Sequence, residues 1–235
     1  MKSLIARALR GMGYELRRIN PVAERIAAVE RLCRQNGVTH VLDVGANEGQ
    51  FATDIRKAGW TGPITSFEPL SAAHAALQAR AAGDLLWTIA QRAALGVDAG
   101  MVVINVAGNS QSSSLLPMLD RHRATAPESA YVGTEEVEVM PLDEALPAQA
   151  SDLYLLKMDV QGFESAVLQG APKTLASTRV LYCETALQPL YEGEKLFYEL
   201  SADIAALGFR CAGLFNGHFD GSTGEALQCD AVFVR

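Results

Sequence analysis

Four acidic residues of this 235-residue chain stand where short apolar runs stop. Asp43 lies in His40-Val41-Leu42-Asp43-Val44, Glu68 follows Ile64-Thr65-Ser66-Phe67, Asp159 follows an apolar run over 153–158, and Glu184 follows Val180-Leu181-Tyr182-Cys183. In an open α/β sheet, ligands bind outside the carboxyl ends of the strands, so carboxylates there can face one crevice; a lone one can equally cap the next helix. Asp43 opens the turn Asp43-Val44-Gly45-Ala46-Asn47-Glu48-Gly49, a D-x-G-x-x-x-G pattern whose glycines allow close backbone approach to a ligand. The middle glycine of G-x-G-x-x-G, which admits dinucleotide phosphates, is missing. The turn therefore favours S-adenosylmethionine, which has no phosphate and carries an amino-acid end, although a plain tight βα turn has the same look. Glu68, 25 residues after Asp43, is placed to accept hydrogen bonds from both hydroxyls of a nucleoside ribose. That feature alone does not separate S-adenosylmethionine from NAD.

Such positions require alternating strands and helices. Apolar periodicity predicts a helix over 22–35 ended by Asn36-Gly37, a strand over His40–Val44, a helix over 50–58, a strand over 64–67 and a helix over 72–82. Strands are expected over 86–89 and 102–106, with Gly96 and Gly100 marking the turn between them. The polar stretch 108–133 reads as a mobile loop or as an irregular cover over the crevice. A strand over 137–140 leads to the nearly continuous apolar run 153–159, of the kind buried on both faces, which is taken as the central strand. A helix over 164–169, a strand over 180–184, a helix over 196–207 and strands at 209–214 and 231–234 complete an α/β domain expected over 37–235, preceded by a helical extension over 1–36.

Composition restricts the partners. The net charge is −7, but residues 1–20 hold five basic residues against Glu15, so the rest of the chain carries −11. An acidic body repels phosphate backbones, which excludes nucleic acid bound through a basic footprint and favours a small-molecule or glycan acceptor. Leu4, Ile5, Ala8, Leu9, Met12 and Leu16 recur at helical spacing, with basic residues between them. This stripe either makes peripheral contact with an anionic membrane or packs on the domain or on a second subunit of a homo-oligomer. The four cysteines show no C-x-x-C pair and no nearby histidines at zinc-ligand spacing, and read as reduced packing residues. No apolar run approaches the roughly 20 residues of a membrane span, and no signal-peptide pattern opens the chain. The expected location is the cytoplasm, membrane-peripheral if the basic stripe binds lipid.

Three blocks in this order resemble the FkbM family of methyltransferases: Val41-Leu42-Asp43-Val44-Gly45-Ala46-Asn47-Glu48-Gly49-Gln50-Phe51, then Phe67-Glu68-Pro69, then Leu156-Lys157-Met158-Asp159-Val160-Gln161-Gly162-Phe163-Glu164. The resemblance spans roughly 38–184, and the first block alone is common to many methyltransferases. It implies a class I methyltransferase (Rossmann-like) fold, with a mostly parallel seven-stranded sheet, an antiparallel last strand and helices on both faces. It also implies S-adenosylmethionine as cofactor and methylation of a hydroxyl oxygen, often on a sugar of a glycolipid, polysaccharide or natural product. Cofactor contacts are expected at Asp43, Gly45, Ala46, Asn47, Gly49, Glu68, Pro69, Ala93 and Asp159.

The family usually has Glu where this chain has Gln161, so catalysis is placed on Asp159 and Glu164, which match the motif. Asp159 is the candidate proton acceptor for the hydroxyl. His122 and His218 lie in loops that can reach the crevice, and His218 is the candidate for acceptor contact. Asp159 and Glu184, on neighbouring strands, are alternatively a magnesium site that lowers the hydroxyl pKa, with a salt bridge or helix cap as the plainer role of Glu184. His40 and His74 read as structural, Lys157 as the partner of an acid, and Tyr191 and Phe215 as either sugar-stacking or packing residues. Two rival functions remain: a nicotinamide-dependent oxidoreductase, against which the missing glycine argues, and a non-catalytic binding module, against which the joint presence of Asp43, Glu68 and Asp159 argues.

Overall fold

The computed structural model describes Met12, residues 20–146 and residues 152–235. The basic stripe at 1–20 therefore lies, apart from Met12 and Asn20, outside the described residues. Helix α1 (Pro21–Gln35) starts where the Asn20 side chain accepts from Ala23 N and Pro21 takes a first-turn position that needs no amide hydrogen. After it come β1 (His40–Val44), α2 (Gln50–Ala58), β2 (Ile64–Phe67), α3 (Ser71–Ala81) and β3 (Trp87–Ile89). Next are β4 (Ala94–Leu95), β5 (Gly100–Ala107), α4 (Asp120–Thr125), β6 (Tyr131–Met140), α5 (Leu142–Ala145), β7 (Tyr154–Met158), α6 (Glu164–Gln169) and α7 (Pro172–Ser177). The chain closes with β8 (Thr178–Ala186), α8 (Phe197–Ala206), β9 (Arg210–Asn216) and β10 (Gln228–Val234).

The main sheet has seven strands in the order β3-β2-β1-β7-β8-β10-β9. The pairs from β3 to β8 are parallel, and β10 runs antiparallel to both of its neighbours. Successive residues of a strand face opposite sides, so each buried strand feeds two core layers. Leu42, Val44, Leu156, Met158 and Leu181 pack against Val167, Leu175, Leu200 and Ile204 from α6, α7 and α8. Val41, Ile64, Leu155 and Val180 pack against Ile26, Val29 and Cys33 of α1, Ile55 of α2 and Leu77 of α3. The expected class I methyltransferase architecture is what is observed, with helices on both faces.

Three features depart from the pattern reading. Strands β4, β6 and β5 form a separate three-stranded sheet, in that order. One of its faces packs on Leu70 and Ala73 through Ile104, Val137 and Val139, while Met101 and Val103 remain exposed. Strand β6 begins at Tyr131 rather than at 137, because Gly133 to Glu138 pair with β5 despite a polar sequence. Helix α7 was not expected: its amides at Lys173 and Thr174 are capped by Asp143, some thirty residues earlier in the chain. Between Gly108 and Ala130 the chain is a cover of turns that carries the short helix α4, pinned where Ser112 Oγ and Ser129 Oγ lie 2.8 Å apart and Asn109 Nδ2 donates to both hydroxyls.

Candidate active site

A cavity of about 430 Å³ opens at the carboxyl ends of β1, β2, β7 and β8, roofed by the 108–130 cover. At one end the β1 turn meets Glu68. Its two carboxylate oxygens accept from Asn47 N at 2.8 Å and Leu70 N at 2.9 Å. Burial pushes the Glu68 carboxyl up to about 7, against those two amides and the Lys157 charge, which pull it down. Behind the turn, fully buried Asp43 pairs with Lys157 Nζ at 2.9 Å, and the same ammonium donates to Val44 O and Gly45 O. Burial penalises the Lys157 charge, but Asp43, Asp159 and Glu68 outweigh it and hold the amine charged. Asp43 and Lys157 thus fix the backbone of the turn from beneath.

The glycines of the turn have a reason that spacing did not disclose. Gly45 has φ +70°, and a Cβ there would lie 1.9 Å from Asp159 O. At Gly49, with φ +87°, a Cβ would meet the Trp87 ring at 2.8 Å and Leu77 at 2.9 Å. Both are imposed by neighbouring segments of the protein. Among the described residues, the three non-glycines with positive φ, Asn47, Ser110 and Gln161, all line the cavity, and Asn47 Nδ2 donates to Ser110 Oγ at 3.1 Å. Strained backbone concentrated around one cavity is a mark of a functional site.

At the other end, the Gln161 amide nitrogen donates to Asp159 Oδ1 and to Glu184 Oε2, both at 2.7 Å, while its oxygen accepts from Tyr191 Oη at 2.8 Å. Gln228 Nε2 makes a second bond to Glu184 Oε2 at 2.9 Å. Burial, reinforced by the Asp159 charge, holds the Glu184 carboxyl well above the usual carboxylate range.

Residues 43–211 match the methyltransferase FkbM domain. The chain belongs to the FkbM methyltransferase family. A 65-residue stretch is 42% identical to the 2-O-methyltransferase NoeI of Sinorhizobium fredii, covering 27% of each chain, so the match reaches about a quarter of that relative's length. Among solved structures, the fold resembles a candidate O-methyltransferase from Klebsiella pneumoniae, with a TM-score of 0.50 and 10% identity over 99% of this chain and 88% of the other. A candidate RNA methyltransferase from Pyrococcus horikoshii gives a TM-score of 0.49 at 10% identity, over 91% and 82% of the two chains.

Of the residues read from the sequence of this FkbM-family protein, Gly45, Ala46, Asn47, Glu68, Pro69, Ala93, Asp159, Glu184 and His218 line one cavity. Asp43, Gly49 and Glu164 stand behind its wall. Buried Glu164 accepts from Val160 N at 3.1 Å and so holds the Asp159 loop; burial pushes its carboxyl up to about 7. Tyr191 is buried behind Gln161, and Phe215 packs on the core, so neither lines the cavity. His40 bonds Asp152 and Thr65, and His74 bonds Ala90 O, both as structural residues.

The magnesium expectation finds no support. The Gln161 amide directs N–H donors at both carboxylates, where a cation needs lone pairs, and among the described residues no three His, Cys, Asp or Glu side chains are grouped to hold a metal. Sequence reasoning missed the contribution of α1. Arg25 lines the cavity and pairs with Asp230, which also accepts from Tyr182 Oη at 2.9 Å, and Phe51 stacks on Tyr182 at 5.7 Å. No local motif marks these residues, because strands distant in sequence bring them together.

Proposed function

We propose that this protein is an S-adenosylmethionine-dependent O-methyltransferase acting on a hydroxyl group of a sugar. The observation that carries the reading is that Glu68, the β1 turn and Asp159 line one cavity at the carboxyl ends of the parallel strands. The residues fit the cofactor. Each Glu68 oxygen accepts one backbone amide and retains a lone pair for a ribose hydroxyl. Asn47 occupies the place of the glycine that a pyrophosphate requires, which disfavours a dinucleotide. When bound, the cofactor supplies a methyl group on a sulfonium sulfur. Asp159 would accept the proton of the acceptor hydroxyl, and Gln161 orients that carboxylate from the side. The name of the NoeI relative supports oxygen as the acceptor atom.

The first test is calorimetry with S-adenosylhomocysteine and, separately, with NAD. Micromolar binding of the first alone is expected, and binding of NAD alone sinks the reading. Asp159→Asn should keep S-adenosylhomocysteine affinity while turnover falls by at least about a hundredfold, the scale of a general base. Undiminished turnover would exclude Asp159 as the base.

A further inference from the structure

The lining of the cavity also includes two histidines to which the methyl-transfer step gives no part. His122, on α4, is 4% exposed, lines the cavity, and has no hydrogen-bond partner for Nδ1 among the described residues. His218 also lines the cavity, and its Nε2 is likewise buried and unpartnered among them. A buried ring nitrogen left without a partner is costly in a finished protein, so two of them bordering one cavity mark a place that a ligand completes. The His122 ring and the His218 backbone are both held in place. His122 lies edge-on to Tyr191 with centroids 5.1 Å apart, and Tyr191 is itself bonded to Gln161 and Ser112 O. The backbone oxygen of His218 accepts from Leu227 and Gln228, and the Gln228 side chain bonds Glu184.

The lining also sets the charge of that ligand. Six carboxyl groups border the cavity: Asp54, Glu68, Glu128, Asp159, Glu184 and Asp230. Among the described residues, the only Lys or Arg side chains in its wall, Arg25 and Lys157, are already paired with Asp230 and Asp43. An anionic ligand would find no unpaired Lys or Arg among these residues, whereas hydroxyls can both donate to and accept from an imidazole ring.

The geometry points to His122 and His218 as the acceptor-binding subsite, and to an uncharged, hydroxyl-rich glycoside as the class of acceptor it holds. This rests on the methyltransferase reading above, and the test separates the two. Protein saturated with S-adenosylhomocysteine is titrated by calorimetry with neutral methyl pyranosides and with the matching uronates, while histidine ring nitrogens are followed by long-range proton–nitrogen spectra. Binding of at least one neutral glycoside, with no uronate binding and with shifts at both histidine rings, is expected. His218→Gln should weaken that glycoside about tenfold and leave S-adenosylhomocysteine affinity within about twofold, as for one lost hydrogen bond. His122→Gln, at the more buried site, should do the same if it folds. Failure of S-adenosylhomocysteine to bind would overturn the earlier reading. With that ligand bound, silence from every glycoside, equal uronate binding, or glycoside binding without histidine shifts would each overturn this one.

Discussion

Gln161 stands where the FkbM resemblance implies an acid, and its amide joins the Asp159 and Glu184 carboxyl groups across the cavity. Gln161→Glu removes both donors and sets a third carboxyl group among Asp159 and Glu184, so it should destabilise the protein by about 1–3 kcal/mol, the scale of a buried group left unsatisfied. It would also create the oxygen-rich cluster that a hard cation prefers. Millimolar magnesium should therefore raise the melting temperature of this variant and leave that of the wild type unchanged; a response in the wild type, or none in the variant, contradicts this account. Measured at pH 8, above the value of about 7 to which burial raises Glu68, Glu68→Ala should weaken S-adenosylhomocysteine by about 1.5–3 kcal/mol, the range for hydrogen bonds to a charged group, and unchanged affinity in calorimetry would remove Glu68 from the cofactor site. Glu68 and Asp159 were legible in the sequence because each closes a strand in a recognisable block. The Asp43–Lys157 pair was legible only in part: the acid was visible, but it turns away from the cavity toward a lysine of the neighbouring strand, a register fact that no local pattern holds. His122 was read as able to reach the crevice, which it does line, but from α4 rather than a loop, and its packing on Tyr191, far along the chain, gave no signal.

Strands β1, β2, β7 and β8 could be read because strands of a doubly covered sheet are short continuous apolar runs. Helix α2 could be read to the residue because glycines bound it at both ends. The second sheet could not, because β4 has two residues and the polar half of β6 is held by its ladder to β5 rather than by burial. Glycine spacing was likewise legible while its cause was not. Gly45→Ala drives a Cβ into Asp159 O and must part the β1 and β7 ends, so a loss of roughly 3 kcal/mol or more is expected from the urea midpoint. Gly133→Ala, where a Cβ meets nothing within 4 Å, should stay within about 0.5 kcal/mol of wild type. Equal effects from the two substitutions would show that the close approach at Gly45 is not what requires glycine there.

The whole molecule stores buried carboxyl groups at its site, and this shapes its stability against pH. In the folded state Glu68 and Glu164 keep their protons up to about pH 7, whereas in the unfolded chain they release them at the ordinary carboxylate value. Between about pH 4.5 and 7 the native state therefore binds more protons than the unfolded one, and both groups make stability fall as pH rises through that window. Glu184, held higher still by burial, acts in the same sense. His122 opposes them: burial lowers it to about 4, so folding excludes its proton and stability falls as pH drops from 6.5 toward 4. Comparison with one variant isolates a single contribution. Glu164→Gln keeps an oxygen for Val160 N but cannot ionise, so it should exceed wild type in stability at pH 8 and lose that advantage at pH 5. Urea unfolding of both proteins at the two pH values reads the difference, which should reach a few kcal/mol at most. Parallel pH profiles would mean that Glu164 titrates in the folded protein as it does in the unfolded chain, the Val160 amide and its surroundings offsetting the burial penalty.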